Sequence, residues 1–427
     1  MADKQKNLVH NPTFSGISSL EEWSFSSPRS EIALGCQWDK SSGGNSLRLL
    51  ATGDRNAFGC WKGKVDLKIG KWYKASVRVK MQKIAEPYLS ILARVGKHLL
   101  LPKSTSENEI CLEQVFQIGT EYEGDEIELF LRSAATGQVE WFDPKVIEID
   151  PPTPRMVRVP TVRFGMPDSK LTIEMQQNRI IEKMRMAGAL RPDITVLTEF
   201  SNIAGMDLKE IKSYKDVAES VPDGPTCKII SAAAKQFNMY VIAGIIEIRD
   251  KYLYNTAVIF DRHGNFVGQY DKTHLTIYEL TEGFSCGQDY PVFDLDFGKI
   301  GVLICYDEWF PEVSRYYAYK GAEILFLPVM GGKPMVWRTR ALDNGLYLVS
   351  SSHNPPSMII DSSGAIIAET HGDGIACADL NLDYRKTNAY GDPTLSYGMP
   401  LTMPQMRNVI DDKLISDLAG LMRGGQS

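Results

Sequence analysis

The sequence predicts an α/β domain that follows a separate all-β sandwich, and three observations support this fold class. Before residue 150, short runs alternate between apolar and polar residues, as in strands that bury one face. After residue 160, apolar strand-like runs alternate with segments of helical apolar spacing, as in α/β proteins. Between the two parts, four prolines fall within residues 151–160 and indicate a stiff linker.

The first domain, residues 1–150, shows the strand pattern most clearly at residues 73–81, where apolar and polar residues alternate at every position. Residues 127–131 repeat the pattern. Turn-forming segments at residues 41–45 and 122–126 separate such runs. Several short strands of this spacing predict a β-sandwich.

The second domain, residues 156–382, begins with a segment of helical apolar spacing at residues 171–190. Residues 239–248 and 254–261 follow as two adjacent predicted strands. Farther on, a helix is predicted to begin at Pro311, because proline is favoured at the first helical position. This order of elements is typical of an α/β domain.

Three chemically reactive side chains come just beyond predicted strands of this domain. Glu199 follows an apolar run ending at residue 197, Lys272 follows a run ending at residue 271, and Cys305 closes the run from residue 300. Open α/β sheets carry their chemistry at the carboxyl ends of strands, so we expect a base, a cation and a nucleophile to meet there. Taken singly, each has a plainer interpretation, as an inert buried cysteine or an ion-pair partner.

The three residue types suit hydrolysis of an amide. A thiolate attacks a carbonyl carbon well, but a free thiol is mostly protonated at neutral pH. Glu199 can take the Cys305 proton and return it to the departing nitrogen. Lys272 and a backbone N–H near Tyr306 can stabilise the oxyanion.

The chain resembles the nitrilase (carbon–nitrogen hydrolase) superfamily in the segments VLTEF, YDKTHL and ICYDEWFPE, which carry these three residues. The resemblance covers residues 156–382. It implies a four-layer αββα sandwich, a Glu-Lys-Cys triad, no cofactor, and a homodimer or higher homo-oligomer. It also implies that TEGFSCG carries a second catalytic glutamate, Glu282, which positions Lys272 and the substrate. A glutamate on a surface loop is the alternative interpretation of Glu282.

Residues after the nucleophile are expected to contact substrate, namely Tyr306, Glu308 and Trp309. WFPE resembles the N-carbamoyl-amine branch of the superfamily. No arginine follows Cys305 within the turn to clamp a carboxylate, and Glu308 favours a neutral or cationic substrate. We therefore expect a small amide first, an N-carbamoyl amine second and a nitrile third.

The first domain resembles a jelly-roll carbohydrate-binding module in NLVHNPTFSG, SLRLL and WFDPKVIEI. Aromatic rings stack on sugars, so Trp38 and Trp61 are the candidates for binding a glycan. The alternative is a fold-level likeness that serves packing or oligomerisation. A rival of another class is a catalytically silent carbohydrate-binding or scaffold protein.

Composition narrows the classes further. A net charge of −6 without a basic stripe argues against nucleic acid. The six histidines lack metal-ligand spacing, so no metal is expected. Seven cysteines without a CxxC pair and no signal peptide predict the cytoplasm, and no apolar run is long enough for a membrane. The tail, residues 383–427, is expected to pack across subunits, with a helix near 411–422.

Overall fold

The computed structural model describes residues 6–16, 20–40, 44–85, 87–106, 108–119, 124–165, 171–206 and 211–383. Within these ranges the chain forms two compact units, a β unit that ends at Thr153 and an α/β unit that begins at Pro154. The tail after residue 383, including the helix expected near 411–422, lies outside the described residues.

In its described part, the β unit contains ten strands, the helix α1 (Pro87–Ser90) and a 3₁₀ turn at Ser30–Ile32. The strands are β1 (Trp23–Ser26), β2 (Gly35–Asp39), β3 (Ser46–Leu50), β4 (Phe58–Lys64), β5 (Trp72–Gln82), β6 (Ile91–Val95), β7 (His98–Thr105), β8 (Glu109–Gln117), β9 (Glu126–Arg132) and β10 (Gln138–Ile149). They pair in the order β1-β4-β9-β6-β7-β8-β5-β10-β3-β2.

An apolar core joins the two halves of this strand order. It combines Ile91 and Leu129, on one side of β7, with Leu47, Val77 and Trp141 on the other. The alternation predicted for residues 73–81 is confirmed, because every second residue of β5 is buried. The strands thus enclose a shared core and form a large β domain ahead of the α/β unit.

The described α/β unit has twelve strands in two six-stranded sheets. The first sheet is β15-β14-β13-β12-β11-β22 and the second is β16-β17-β18-β19-β20-β21. Their bounds are β11 (Met156–Val162), β12 (Ile194–Val196), β13 (Tyr240–Arg249), β14 (Tyr252–Phe260), β15 (Phe266–Asp271), β16 (Phe293–Leu295), β17 (Gly298–Val302), β18 (Ile324–Gly331), β19 (Tyr347–Asn354), β20 (Met358–Ile360), β21 (Ile366–Glu369) and β22 (Ile375–Asn381).

Five α-helices and three 3₁₀ helices accompany these sheets in the described residues. The α-helices are α2 (Ile173–Gly188), α3 (Pro225–Phe237), α4 (Ile277–Thr281), α5 (Pro311–Tyr319) and α6 (Pro334–Asn344), and the 3₁₀ helices are Ser201–Ile203, Tyr214–Asp216 and Cys305–Trp309. In this part of the chain no helix is long and apolar enough to cross a membrane.

Apolar contacts show how the layers meet. Ile242 and Ile259 of the first sheet share a core with Ile300, Phe326 and Val349 of the second, so the two sheets pack face to face. A further core packs residues of α2 and α3 against β13 and β14. Burial of these apolar faces holds the layers together.

Most predicted elements of this unit are confirmed. The helix predicted at residues 171–190 is α2, the strands at 239–248 and 254–261 are β13 and β14, and α5 begins at Pro311. The predicted linker at 151–160 is wrong in its second half, because β11 begins at Met156 and includes Pro160. Val157 and Val159 are fully buried in the core between the sheets, so this segment folds as a strand.

Strand ends from both sheets meet where the reactive side chains lie. Glu199 comes three residues after β12, Lys272 directly after β15 and Cys305 three residues after β17. The Thr198 hydroxyl donates to the carbonyl of Val329 in β18 at 2.9 Å, which joins the two sheets at this edge.

Candidate active site

Glu199, Lys272 and Cys305 are brought together at this edge. The Lys272 Nζ lies 3.0 Å from Oε1 of Glu199, and both side chains are buried. Both charged groups also act on the Cys305 thiol, whose pKa Glu199 raises and Lys272 lowers. The three side chains from separate strand ends therefore form one connected cluster.

The backbone at Cys305 is held in an unusual conformation. Its φ is 44°, in the left-handed region that residues with a side chain rarely adopt. The residue opens the 3₁₀ helix Cys305–Trp309, and its Sγ lies 3.7 Å from the carbonyl oxygen of Gly331. This sharp turn places Cys305, as a partly exposed residue, at the end of a buried strand.

Asp307 fixes that turn relative to the segment that carries Lys272. Its carboxylate accepts the backbone N–H of Ile304 at 2.9 Å, the hydroxyl of Tyr270 at 2.8 Å and the backbone N–H of His274 at 3.0 Å. Tyr270 and His274 lie on either side of Lys272 in the sequence. Asp307 was not among the predicted site residues. Its side chain is only 1 % exposed, and a buried carboxylate needs hydrogen-bond donors such as these three.

Glu199 is held from two directions. Its Oε2 accepts the backbone N–H of Met330 at 3.0 Å. Behind it, Gly244 of β13 lies so close that a Cβ there would come 2.6 Å from the Glu199 Cα. The main chain then turns away, because Phe200 has a φ of 51°. The carboxylate is thus fixed in place before any substrate binds.

The second glutamate of the cluster is Glu279, not the predicted Glu282. Both oxygens of Glu279 lie 2.9 Å from the Lys272 Nζ. Glu279 also forms a capping box with Thr276 at the start of α4, which directs its carboxylate inward. Glu282 is the exposed residue at the other end of this short helix. The Thr-x-x-Glu spacing of TIYE, which is typical of a capping box, was the feature of the sequence that could have identified Glu279.

Asn255, on β14, is a further member that the sequence analysis missed. Its Nδ2 donates to Oε1 of Glu199 at 2.8 Å and to Oε1 of Glu279 at 2.7 Å. Alternate residues Leu253, Ala257 and Ile259 of the same strand are apolar and buried. Asn255 is the one amide among these inward-facing positions, and that feature of the sequence could have identified it.

Charges in the cluster are strongly coupled. Burial lowers the pKa of Lys272, but Glu199, Cys305 and Glu279 outweigh this effect and raise it overall, so the lysine is an ammonium. Burial first, and Glu199 next, raise the pKa of the Cys305 thiol well above its ordinary value, while Lys272 lowers it. The resting thiol is therefore neutral and needs a base to become a nucleophile.

Glu279 shares the positive charge of Lys272 with Glu199. Burial raises the pKa of Glu279, but Lys272 and hydrogen bonds from Asn255 and Thr276 lower it overall. The carboxylate is therefore ionised, and the three charged side chains carry a net negative charge. One ammonium with two carboxylates leaves a site that can accept a proton.

Of the predicted substrate contacts, Tyr306 and Trp309 are exposed and Glu308 is buried. Glu308 accepts the backbone N–H of Lys333 at 3.1 Å and the indole N–H of Trp337. Burial raises its pKa to about 7, against the lowering effect of those two donors. Its carboxyl group is held by the protein, and when it is ionised its charge helps to raise the pKa of the Cys305 thiol.

In the β unit, Trp61 is 7 % exposed in the apolar core and its indole donates to the carbonyl of Arg48 at 3.1 Å. The prediction that it stacks on a sugar is wrong, because its ring packs inside the domain beside Phe25. Trp38 is partly buried, and the Lys40 Nζ lies 4.0 Å from its ring centroid. Among the described residues, no group of three or more His, Cys, Asp or Glu could hold a metal ion.

The sequence profile of the family described as carbon-nitrogen hydrolase matches residues 169–390, which is just over half of the chain. The chain belongs to the carbon–nitrogen hydrolase family. As a member of this family, it is a hydrolase that acts on carbon–nitrogen bonds.

Relatives of this carbon–nitrogen hydrolase are named for different activities. A nitrilase of Pyrococcus abyssi is 34 % identical over 177 residues, which span 40 % of this chain and 65 % of that protein. An omega-amidase of Xenopus laevis is 30 % identical over 200 residues, spanning 40 % of this chain and 72 % of the relative. The crystal structure of Saccharomyces cerevisiae Nit3 has 24 % identity and a TM-score of 0.46 over 53 % of this chain and 90 % of that one.

Proposed function

We propose that this carbon–nitrogen hydrolase cleaves a small amide through an acyl-thioester on Cys305, with release of ammonia or an amine. The observation that carries the proposal is the buried contact of Lys272 with Glu199 and Glu279, at 3.0 and 2.9 Å, beside the thiol. A buried ion cluster is costly to maintain, and its position next to a strained cysteine is best explained by chemistry.

In the first half of the reaction, Glu199 accepts the proton of the Cys305 thiol while the sulfur attacks the carbonyl carbon. The tetrahedral intermediate carries its negative charge on oxygen, where the Lys272 ammonium and a backbone N–H of the turn near Tyr306 stabilise it. Glu199 then passes its proton to the nitrogen. The carbon–nitrogen bond breaks, ammonia or an amine leaves, and the acyl group remains on sulfur as a thioester.

In the second half, water attacks the thioester carbon and gives a proton to Glu199. A second tetrahedral intermediate forms at the same oxyanion position. When it collapses, the carbon–sulfur bond breaks, the acid product leaves, and Glu199 returns the proton to the Cys305 sulfur. Glu279 takes part by holding Lys272, the role that the sequence analysis gave to Glu282.

A neutral amide is the preferred substrate, an N-carbamoyl amine the second choice and a nitrile the third. Two carboxylates share one ammonium in the cluster, and Glu308 adds a third acidic group nearby. An excess of acidic groups disfavours a substrate carboxylate close to the thiol. Tyr306 and Trp309 are exposed next to Cys305 and are the proposed contacts for the rest of the substrate.

Ammonia release from a panel of amides, N-carbamoyl amines and nitriles tests the function. Wild-type protein and Cys305→Ala are compared at equal concentration, after circular dichroism has shown that both are folded. Turnover of at least one substrate by the wild type, and of none by the variant, supports the proposal. Equal release by both proteins contradicts the thiol mechanism, and release by neither leaves the silent scaffold as the better account.

The same proposal includes the order of layers in the α/β unit, its association into an oligomer and its location in the cell. The core between the two sheets, and the packing of α2 and α3 outside the first sheet, support a four-layer αββα order. Exposed apolar residues on α5 and α6, namely Tyr316, Met335 and Leu342, support association into a homodimer. Sedimentation velocity tests the oligomer, and fluorescent tagging of the native protein tests a cytoplasmic location.

For the β unit, a jelly-roll arrangement that binds a glycan remains the proposal. Trp38 is its candidate contact, although Lys40 lies over the same ring and the indole N–H donates to the carbonyl of Phe14 at 2.9 Å. Glycan-array binding by the wild type that is lost in Trp38→Ala supports this role. Binding to no glycan leaves packing or oligomerisation as the function of this unit.

A further inference from the structure

Asn255 connects the two carboxylates of the cluster without carrying charge. One side-chain nitrogen donates to both, at 2.8 Å to Glu199 and 2.7 Å to Glu279, and both bonds end on the same oxygens that also face Lys272. Asn255 itself is fully buried. Charge-assisted hydrogen bonds of this kind are stronger than neutral ones and fix geometry.

The remaining atom of this amide has no partner. Within the described residues, Asn255 Oδ1 is buried and makes no hydrogen bond. An unpaired buried oxygen is unfavourable, so the side chain is not explained by stability alone. The amide is oriented with both N–H groups toward the carboxylates because those carboxylates offer acceptors.

The main chain places Asn255 for this task. The backbone N–H of Lys272 donates to the carbonyl of Asn255 at 2.8 Å, next to the β14–β15 pairing of Thr256 with Asp271. Asn255 of β14 and Lys272, directly after the neighbouring strand β15, are therefore fixed side by side. A neutral double donor and a cationic donor together hold two like charges that would otherwise repel each other.

We infer that Asn255 is a positioning residue for the hydrolysis, which keeps Glu199 and Glu279 ionised and aimed while Glu199 takes the thiol proton. The inference rests on the proposed function and names a residue that acts through the two glutamates, not on the substrate. Loss of its donors should leave the carboxylates harder to ionise, because hydrogen bonds to the charged form lower a carboxyl pKa.

Two variants and one control test this role. Asn255→Leu keeps the branched shape of the side chain and removes both donors, whereas Asn255→Ser keeps one donor in a smaller side chain. Asn344→Leu is the matched control: Asn344 is equally buried, donates to Ser314 Oγ at 3.1 Å and to the carbonyl of Arg340 at 2.8 Å, and also has an unpartnered Oδ1 among the described residues. Its partners, unlike those of Asn255, are neutral.

The deciding readout is the pH profile of kcat/KM for the amide that the wild type hydrolyses best. An ionised Glu199 is required, so activity falls at low pH. In Asn255→Leu this acidic limb should move up by about one pH unit, with a smaller shift in Asn255→Ser. Asn344→Leu should lose stability with no shift of the limb.

The rate at which iodoacetamide alkylates the Cys305 thiol, followed by peptide mapping, gives a second pH profile that does not depend on turnover. Its lower midpoint should move in the same direction, because proton removal from the thiol also needs ionised Glu199. If the wild type hydrolyses no amide, the proposed function fails, and the alkylation profile still tests Asn255. Profiles of folded Asn255→Leu or Asn255→Ser that coincide with the wild type overturn the inference, as does an equal shift in Asn344→Leu.

Discussion

Lys272 places its Nζ at 2.9 Å from each of the two oxygens of Glu279. Both side chains are buried, and Glu199 competes for the same ammonium at 3.0 Å. One positive charge therefore balances two carboxylates in a site shielded from water. Under the proposed mechanism the cluster acts in catalysis as well as in stability, and variants of its members should separate the two effects.

Glu279→Gln should lower kcat on the order of 100-fold, the scale of displacing a reacting group by about 1 Å. The glutamine side chain still fits the site. Its nitrogen takes the place of one carboxylate oxygen, however, and directs N–H groups at the Lys272 ammonium. Glu282→Gln is the matched control from the same helix, and its kinetics should equal those of the wild type. Steady-state kinetics of the pair decide between the two glutamates, and a larger loss in the Glu282 variant would restore the sequence-based assignment.

Lys272→Ala should lower kcat by at least about 100-fold, the scale of losing one oxyanion donor, with a much smaller change in KM. It should also destabilise the protein by about 3–5 kcal/mol, because two buried carboxylates lose their cation. Lys272→Arg should rescue kcat poorly, since a planar guanidinium cannot occupy the place of a compact ammonium. Kinetics and urea unfolding are measured together; a stable Lys272→Ala with kcat near wild type refutes the role.

Glu308 should make the protein less stable at alkaline than at acidic pH. Burial raises its pKa from an ordinary 4.5 to about 7. Between these values the folded state keeps a proton that the unfolded chain releases, so stability falls as pH rises, by a total on the order of 3 kcal/mol. Urea unfolding at pH 5 and pH 8 should show this loss in the wild type and a smaller one in Glu308→Gln.

The exposed neighbour Glu312, at the start of α5, supplies the control for that experiment. Glu312→Gln should keep the wild-type difference between the two pH values. The same difference in Glu308→Gln as in the wild type would show that Glu308 titrates in its ordinary range.

Gly244→Ala should lower both the activity and the thermal stability, because a Cβ there would lie 2.6 Å from the Cα of Glu199 and displace the base. Gly165→Ala is a fitting control: its Cβ would meet Asp373 at an ordinary 3.5 Å. Ammonia release and thermal unfolding of the two variants are compared. Full activity of Gly244→Ala would show that the position of Glu199 tolerates such a shift.

The sequence predicted the strands and helices that carry the site because their apolar patterns are strong. Glu199, Lys272 and Cys305 each follow such a strand, so their meeting follows from the topology of the sheets. Asp307 and Asn255 were missed because their roles depend on partners far away in sequence, such as Tyr270 and Glu199. The local sequence showed that Asn255 faces inward on β14, but it did not show which partners Asn255 or Asp307 would meet.

Two errors have a physical origin in burial. Glu282 was chosen from a loop segment, whereas the capping box of α4 turns Glu279 inward. Trp61 is predicted to bind a glycan, but its strand β4 presents it to the core of the β unit. In both cases the side of the element that faces inward decided the outcome; the Thr-x-x-Glu spacing indicated that side for Glu279, whereas the local sequence left it open for Trp61.

The most direct test of the central claim is detection of the acyl-thioester on Cys305. The enzyme is mixed with its best amide, quenched in acid within a turnover, digested and analysed by mass spectrometry. The account predicts a peptide containing Cys305 that is heavier by the acyl group, in the wild type and not in Cys305→Ala. Turnover of the amide by Cys305→Ala, or an acyl group found on another residue, would contradict it.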